Sequence, residues 1–315
     1  MQQPLREIFG LALVELGDEN SDVIVLDADL AHATRTIHFW KKYPSRFINV
    51  GIAEANMVSI AAGLATCGKI PFACSFSFLL SLRATDQVRS QLSYPNLNVK
   101  LVGTNGGLSG YGDGVTHQSI MDLSIFRSMP NFTILVPSDT AMVQWMIKEA
   151  AALQGPVYIR IPRISAPDIH KGNMDFTIAR GIVHRTGKDL SLISMGLMVH
   201  KAIEAAAALE SRGISAEVIE IHTLKPFDTE IIAKSLRKTG AGIVIEEHSR
   251  YGGLCSAVAE TSVQNTPALL DFVAINDHFA SSGEYDEILE MVGLTIGNII
   301  LKSEKILSRK KQKVT

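Results

Sequence analysis

Two patterns alternate along this chain: short apolar runs bounded by Gly, Pro or acidic residues, and longer stretches with an apolar residue every three or four positions. The runs read as buried parallel strands and the stretches as amphipathic helices. A helix near residues 4–17 precedes the strand Val23 to Leu26, and the acidic Asp27-Ala-Asp29 follows where parallel strands present ligand-contacting groups. The run Phe47-Ile48-Asn49-Val50 breaks at Gly51 into an Ala-rich helix over about 52–66, which Gly68 stops. A strand over 71–76, a helix over 82–93 and a strand over 99–102 come next. The stretch 103–114 holds six glycines and must be a loop whose backbone can approach a ligand closely. A strand over 132–136, a helix capped by Ser138 and running to about 153, and a strand over 157–161 complete this unit.

Pro162, Pro167 and a polar segment to Asp175 mark a linker. Beyond it, strands over 190–194, 216–221, 242–247 and 270–275 alternate with helices near 198–211, 229–238 and 253–264. The expected fold is α/β, two parallel-sheet domains over 1–168 and 179–315 joined by a linker at 169–178. Arg309, Lys310, Lys311 and Lys313 read as a solvated basic tail.

Composition narrows the function. The 315 residues exceed the usual single-domain size, and 46% hydrophobic against 20% charged residues suffice for two buried cores. Lys plus Arg number 30 against 32 for Asp plus Glu, so nothing suggests a nucleic-acid or acidic-membrane footprint, and a small-molecule site is favoured. Cys67, Cys74 and Cys255 are odd in number and lack metal-ligand spacing, so they read as buried thiols in a reducing compartment. With no signal peptide and no membrane-length apolar run, a cytoplasmic location is expected.

Glu54 carries the most chemistry, because Gly51-Ile-Ala-Glu54-Ala-Asn-Met57 sets a carboxylate at a strand-to-helix junction with apolar neighbours on both sides. A carboxylate there can complement the helix dipole, or it can share a proton with a bound heterocycle in a dry pocket. Together with Asp113-Gly-Val-Thr-His117-Gln118 and Phe126-Arg-Ser-Met-Pro130-Asn131, the segment resembles the pyrimidine-binding domain of transketolase. Lys225-Pro226-Phe227-Asp228 and Glu246-Glu247-His248-Ser-Arg-Tyr251-Gly252-Gly253 resemble that family's C-terminal domain, so the likeness covers roughly residues 3–303.

The resemblance implies a thiamine diphosphate enzyme in which Glu54 bonds the cofactor's pyrimidine nitrogen and so activates it. A complete transketolase has a further N-terminal domain that holds the diphosphate and its Mg²⁺ or other divalent metal. Gly112-Asp113-Gly114 mimics the family's triplet for that task, but Asn131 follows too soon and the triplet lies in a different loop. The implied arrangement is a split transketolase whose partner subunit supplies the missing domain, assembling as a heterotetramer, with no metal ligands here.

By the same resemblance Phe76 and Phe78 stack on the pyrimidine, with Leu79 where a second aromatic is expected, and Arg83 and Asp29 are further cofactor-pocket candidates; Asp27 is equally suited to a cap. His117 would act in catalysis and, with Asp113, on substrate hydroxyl or phosphate groups, while Arg160 and Arg6 fall at sugar-phosphate positions. A serine expected to help with phosphate is replaced in Asp29-Leu-Ala-His32-Ala33-Thr34, so a phosphorylated ketose is expected while a non-phosphate anion such as a sulfonate stays open. His248 and Tyr251 read as structural or interfacial. Competing classes are the β subunit of a 2-oxoacid dehydrogenase E1 component, a 1-deoxyxylulose-phosphate synthase fragment, and a non-enzymatic assembly or regulatory partner. The Asp113 to Gln118 loop argues for sugar chemistry against the first two, and Glu54 against the third.

Overall fold

The computed structural model describes residues 3–171 and 176–312. Among the described residues twelve strands form two sheets: β1 Val23–Asp27, β2 Phe47–Asn49, β3 Ile70–Phe76, β4 Lys100–Thr104, β5 Thr133–Leu135, β6 Val157–Arg160, β7 Ile182–Arg185, β8 Leu190–Ser194, β9 Ala216–Glu220, β10 Thr223–Lys225, β11 Ala241–Ser249 and β12 Leu269–Ile275. The first sheet has the order β10-β5-β6-β4-β3-β1-β2 and the second β12-β11-β8-β9-β7. Every pairing is parallel except those of the edge strands β10 and β7. The mostly parallel α/β fold of both units is therefore the expected one. Parallel strands need covered faces, which is why β4, β8 and β9 are buried at every position.

The two units interlock through β10, which follows β9 of the second sheet yet pairs with β5 of the first, Thr223 opposite Leu135. No periodicity marks a three-residue strand that leaves its own sheet. The C-terminal residues also differ from expectation: they continue the helix Ile296–Gln312, and Lys310 Nζ donates to the carbonyls of Asp189 at 3.2 Å and Thr239 at 2.6 Å. A basic side chain there satisfies carbonyls at the turns beneath the second sheet, so the basic run is a docked helix end; Lys313 lies outside the described residues.

Other boundaries moved for local reasons. The helix expected over 82–93 is broken into Ser77–Leu82, Thr85–Gln87 and a wider turn over Val88–Ser93. The helix Thr140–Ala152 is capped by Asp139 rather than Ser138, its carboxylate accepting from Met142 N at 3.0 Å. Cys74 and Cys255 are buried, whereas Cys67 is exposed, because it sits at the end of the helix Glu54–Thr66 beside the Gly68 turn. Among the described residues no helix is long and apolar enough to cross a membrane.

Candidate active site

The C-terminal ends of β1, β3, β4 and β6 open on one rim of the first sheet, and the segments that follow them carry most of the predicted residues. Glu54 is the first residue of the helix Glu54–Thr66 and is 2% exposed. Among the described residues its carboxylate has only loose company, Ser75 Oγ at 3.4 Å and Arg83 Nη1 at 3.7 Å, where Arg83 is itself largely exposed. A buried carboxylate so weakly satisfied is costly unless it meets another hydrogen-bonding group.

Aromatic rings gather at the end of β3. Phe76 and Phe78 lie 6.3 Å apart between centroids, and the His117 imidazole stands 5.9 Å from the first and 5.4 Å from the second. The glycine-rich loop thereby brings its histidine over the Phe76–Phe78 pair, and Nδ1 of His117 is 3.0 Å from Thr116 Oγ1. A buried carboxyl within reach of Ser75, on the strand that ends in Phe76, together with two aromatic rings, offers the kinds of group that a flat, protonatable heterocycle such as the pyrimidine of thiamine diphosphate needs.

The loop is held from the second unit. Glu247, near the end of β11, accepts from Leu108 N at 2.5 Å and from Tyr285 Oη at 2.7 Å, and burial pushes its carboxyl up. Gln118 Nε2 donates to Ser281 O at 2.8 Å. Gly107 has φ +66°, and a Cβ there would sit 2.5 Å from Glu247 Oε1, so glycine is required for this approach.

Arg160 does not fit the substrate role expected of it. It is 5% exposed, and its guanidinium donates to Asp122 Oδ2 at 3.0 Å and to the carbonyls of Ser119 at 2.7 Å and Glu247 at 3.1 Å. The last residue of a fully buried strand points inward, and Asp122, which also accepts from Tyr158 Oη at 2.7 Å, neutralises it. Arg163, three residues on and past the strand, emerges instead beside the loop and pairs with Asp113 at 2.8 Å. Its guanidinium lies 5.7 Å from the Tyr111 ring centroid.

Arg6 lies in the first turn of the helix Leu5–Glu19 and donates from Nη1 to Ala33 O at 3.0 Å, while its buried Nε has no hydrogen-bond partner among the described residues. Burial pushes its guanidinium down, as do the charges of Arg163 and Arg35. Arg35 is partly balanced by Glu7 at 2.9 Å. Arg163 and Arg35 thus lie near enough for their charges to act on Arg6, and Arg163 in turn pairs with Asp113. Arg163 and Arg35 were not singled out in the sequence. The available signal was that Arg160 lies within the apolar run Val157 to Ile161, whereas Arg163 lies beyond Pro162.

Asp27 and Asp29 part ways. Asp27 is fully buried and accepts from Leu30 N, Thr34 Oγ1 and Thr36 Oγ1, so it caps the turn after β1; burial pushes its carboxyl up, and these bonds oppose the rise. Asp29 is exposed, with φ +66°, and accepts from Asn49 Nδ2 at 3.0 Å. No contact joins it to Glu54 or the aromatic pair among the described residues. His248 is buried with Nδ1 donating to Ser249 O at 2.7 Å, Glu246 accepts from Leu254 N and Cys255 N at the start of the helix Leu254–Asn265, and Tyr251 is exposed.

Residues 1–168 match the family model for the transketolase pyrimidine-binding domain, and residues 179–299 match that for the transketolase C-terminal domain. The chain belongs to the transketolase family. It is 40% identical to the 6-deoxy-6-sulfo-D-fructose transketolase subunit SqwH of Clostridium sp. (strain MSTE9), over 97% of this chain and 95% of that one. It is 42% identical to the putative transketolase C-terminal section of Methanocaldococcus jannaschii, over 92% of each. A solved structure described as a split gene transketolase, inactive beta4 tetramer, superposes with a TM-score of 0.89 at 42% identity, covering 98% of this chain and 99% of that one. By contrast, the chain spans only 51% of the bovine transketolase-like protein 1, at 35% identity. The family implies dependence on thiamine diphosphate.

Proposed function

We propose that this chain is one subunit of a split transketolase, a glycolaldehydetransferase that moves a two-carbon ketol unit from an anionic ketose to an aldose. The observation that carries the proposal is the buried, weakly bonded Glu54 carboxyl at Ser75, on the strand that ends in Phe76, with Phe78 and His117 against that ring. When bound, thiamine diphosphate supplies a nucleophilic carbon and an electron sink for breaking and forming carbon–carbon bonds. Glu54 would hold a proton at the pyrimidine nitrogen, and Phe76 and Phe78 would wall the ring from water. His117 would face substrate hydroxyls, while Arg6, Arg163 and Arg35 would hold the anionic end and Asp113 would orient Arg163 and read a hydroxyl.

A partner subunit carrying the diphosphate-binding domain and its divalent metal would complete the enzyme, in a heterotetramer. Relatives described as a transketolase subunit and a C-terminal section, and a β4 assembly described as inactive, support this. The anionic group is a phosphate or a sulfonate: one relative is described by a sulfo-sugar and another, 33% identical over 92% of this chain, as an apulose-4-phosphate transketolase subunit.

The test is reconstitution. The purified chain alone should neither retain thiamine diphosphate nor transfer ketol groups, and adding the partner subunit should restore both. Full activity of the isolated chain, shown free of other subunits, would overturn the split-subunit reading.

A further inference from the structure

Away from the active site, the junction of the two units buries a cluster of imidazoles and carboxylates that the transfer chemistry does not use. His170 follows Pro167 and its side chain is fully buried, its ring edge-on to Phe176 at 4.9 Å. Nδ1 of His170 donates to Asp139 Oδ2 at 3.0 Å, and Nε2 lies 3.0 Å from Glu220 Oε2. Asp139 is fixed in turn by the backbone N–H groups of Met142, Ile169 and His170. Glu220, the last residue of β9, is fully buried, and its Oε2 also lies 2.6 Å from His184 Nε2. His184 reaches it because the antiparallel register slips between Val183 and Arg185, and the extra residue of that bulge turns toward the carboxylate.

We propose that His170, His184 and Glu220 form a binding site for a divalent transition metal of the zinc class that pins the linker to the second unit. Two imidazole nitrogens converge on one carboxylate oxygen, and the ligand atoms of the three residues all lie within 4.8 Å of one another. Tetrahedral zinc with bonds of about 2.0–2.2 Å spaces its donors by roughly 3.3–3.5 Å, so the two nitrogen–oxygen separations, 3.0 Å and 2.6 Å, need to open by less than about an ångström. Asp139 holds the opposite nitrogen of His170, the outer-shell carboxylate that fixes a metal-bound histidine's tautomer.

Glu220 Oε1 is buried without a hydrogen-bond partner among the described residues, although the Ser138 hydroxyl is close enough to favour its ionised form. Burial opposes charge on both groups, yet the two carboxylates push His170 up to about 9 and the two histidines hold Glu220 down to about 2, so a metal would take over a pairing of opposite charges. The His184 side chain, 12% exposed on an edge strand, gives solvent a route in.

The test uses the full chain without any partner or cofactor, so its outcome is independent of the transketolase assignment. After chelation and dialysis, Zn²⁺ titration with metal analysis should find one tightly held equivalent per chain, and Co²⁺ should give the intense visible bands of a tetrahedral N/O site. Saturating Zn²⁺ should raise Tm. His184→Ala and Glu220→Gln should each weaken binding at least about 100-fold and abolish the Tm response, whereas the exposed His278→Ala should bind as the parent does. His184→Ala removes a side chain from a solvent-reached edge, so it remains testable if Glu220→Gln does not fold. Equal Zn²⁺ uptake by the parent and His184→Ala, or an octahedral Co²⁺ spectrum, would overturn the proposal and leave the cluster as a hydrogen-bonded charge lock.

Discussion

Arg163 Nη1 lies 2.8 Å from Asp113 Oδ2, tying the segment after β6 to the glycine-rich loop that carries His117. Both side chains remain partly exposed, so this pair is worth little to stability, with about 1 kcal/mol as an upper figure. Its geometry instead presents a guanidinium at the mouth of the site, and the buried Arg160 three residues earlier does the opposite.

The two arginines should therefore separate in a mutational test. Arg163→Ala should raise KM for a sugar phosphate or sulfonate by about tenfold or more while Tm stays near that of the parent, since a charge-assisted contact is worth roughly 1.5–3 kcal/mol. An uncharged sugar should lose much less. Arg160→Ala should leave Asp122 buried without its cation and cost about 3–5 kcal/mol, seen as a lower denaturation midpoint. A normal midpoint for Arg160→Ala, or equal KM losses on charged and uncharged sugars for Arg163→Ala, would contradict this assignment.

Glu54→Gln keeps the shape of the side chain but removes a carboxyl that can hold or release a proton. The reconstituted enzyme should fall by about 10² to 10⁴-fold in kcat with assembly intact, as for loss of a general acid–base group. If Glu54 served only the helix dipole, the change would cost roughly 0.3–1 kcal/mol and little turnover. Steady-state kinetics beside size-exclusion of the complex distinguish the two.

The loop's glycines are not equivalent. Gly107→Ala places a methyl 2.5 Å from Glu247 Oε1 at φ +66°, so it should displace the loop and lower Tm by an amount equivalent to more than about 1 kcal/mol, with kcat falling as His117 shifts. Gly112 has open space around its Cα, so Gly112→Ala should be close to neutral. Thermal melts and turnover of the two variants check the contrast.

Lys100 makes stability depend on pH. It is fully buried, and Nζ donates to Asn98 Oδ1 at 2.6 Å and to the carbonyls of Leu153 at 2.8 Å and Gly155 at 3.0 Å. Burial pushes it down from 10.5 to about 7. Between those values the unfolded chain binds more protons than the folded one, so this group makes stability rise with pH across that window and the full penalty applies below it. Each unit is worth about 1.4 kcal/mol. Denaturant titrations of the parent and Lys100→Met from pH 7 to 10, referred to each other, should show the parent gaining on the variant by about that slope. A constant difference would mean that the three acceptors keep the ammonium charged throughout.

The sequence by itself determined what local patterns can encode. Buried parallel strands are continuous apolar runs, so β3, β4, β8 and β9 stand out, and Gly51 followed by Glu54 marks a strand-to-helix junction wherever the chain goes afterwards. The motif around Asp113 and His117 gave the family in the same way. Tertiary structure decided which side chains face inward and which segments cross between units. Arg160 and Arg163 differ only in lying before or after the end of β6, and their roles follow from the buried Asp122 that one meets and the open rim that the other reaches. β10, the docked Lys310 and the Asp139–His170–Glu220 cluster all join residues from 31 to 121 positions apart, which composition and periodicity cannot record because they describe neighbours along the chain, not in space.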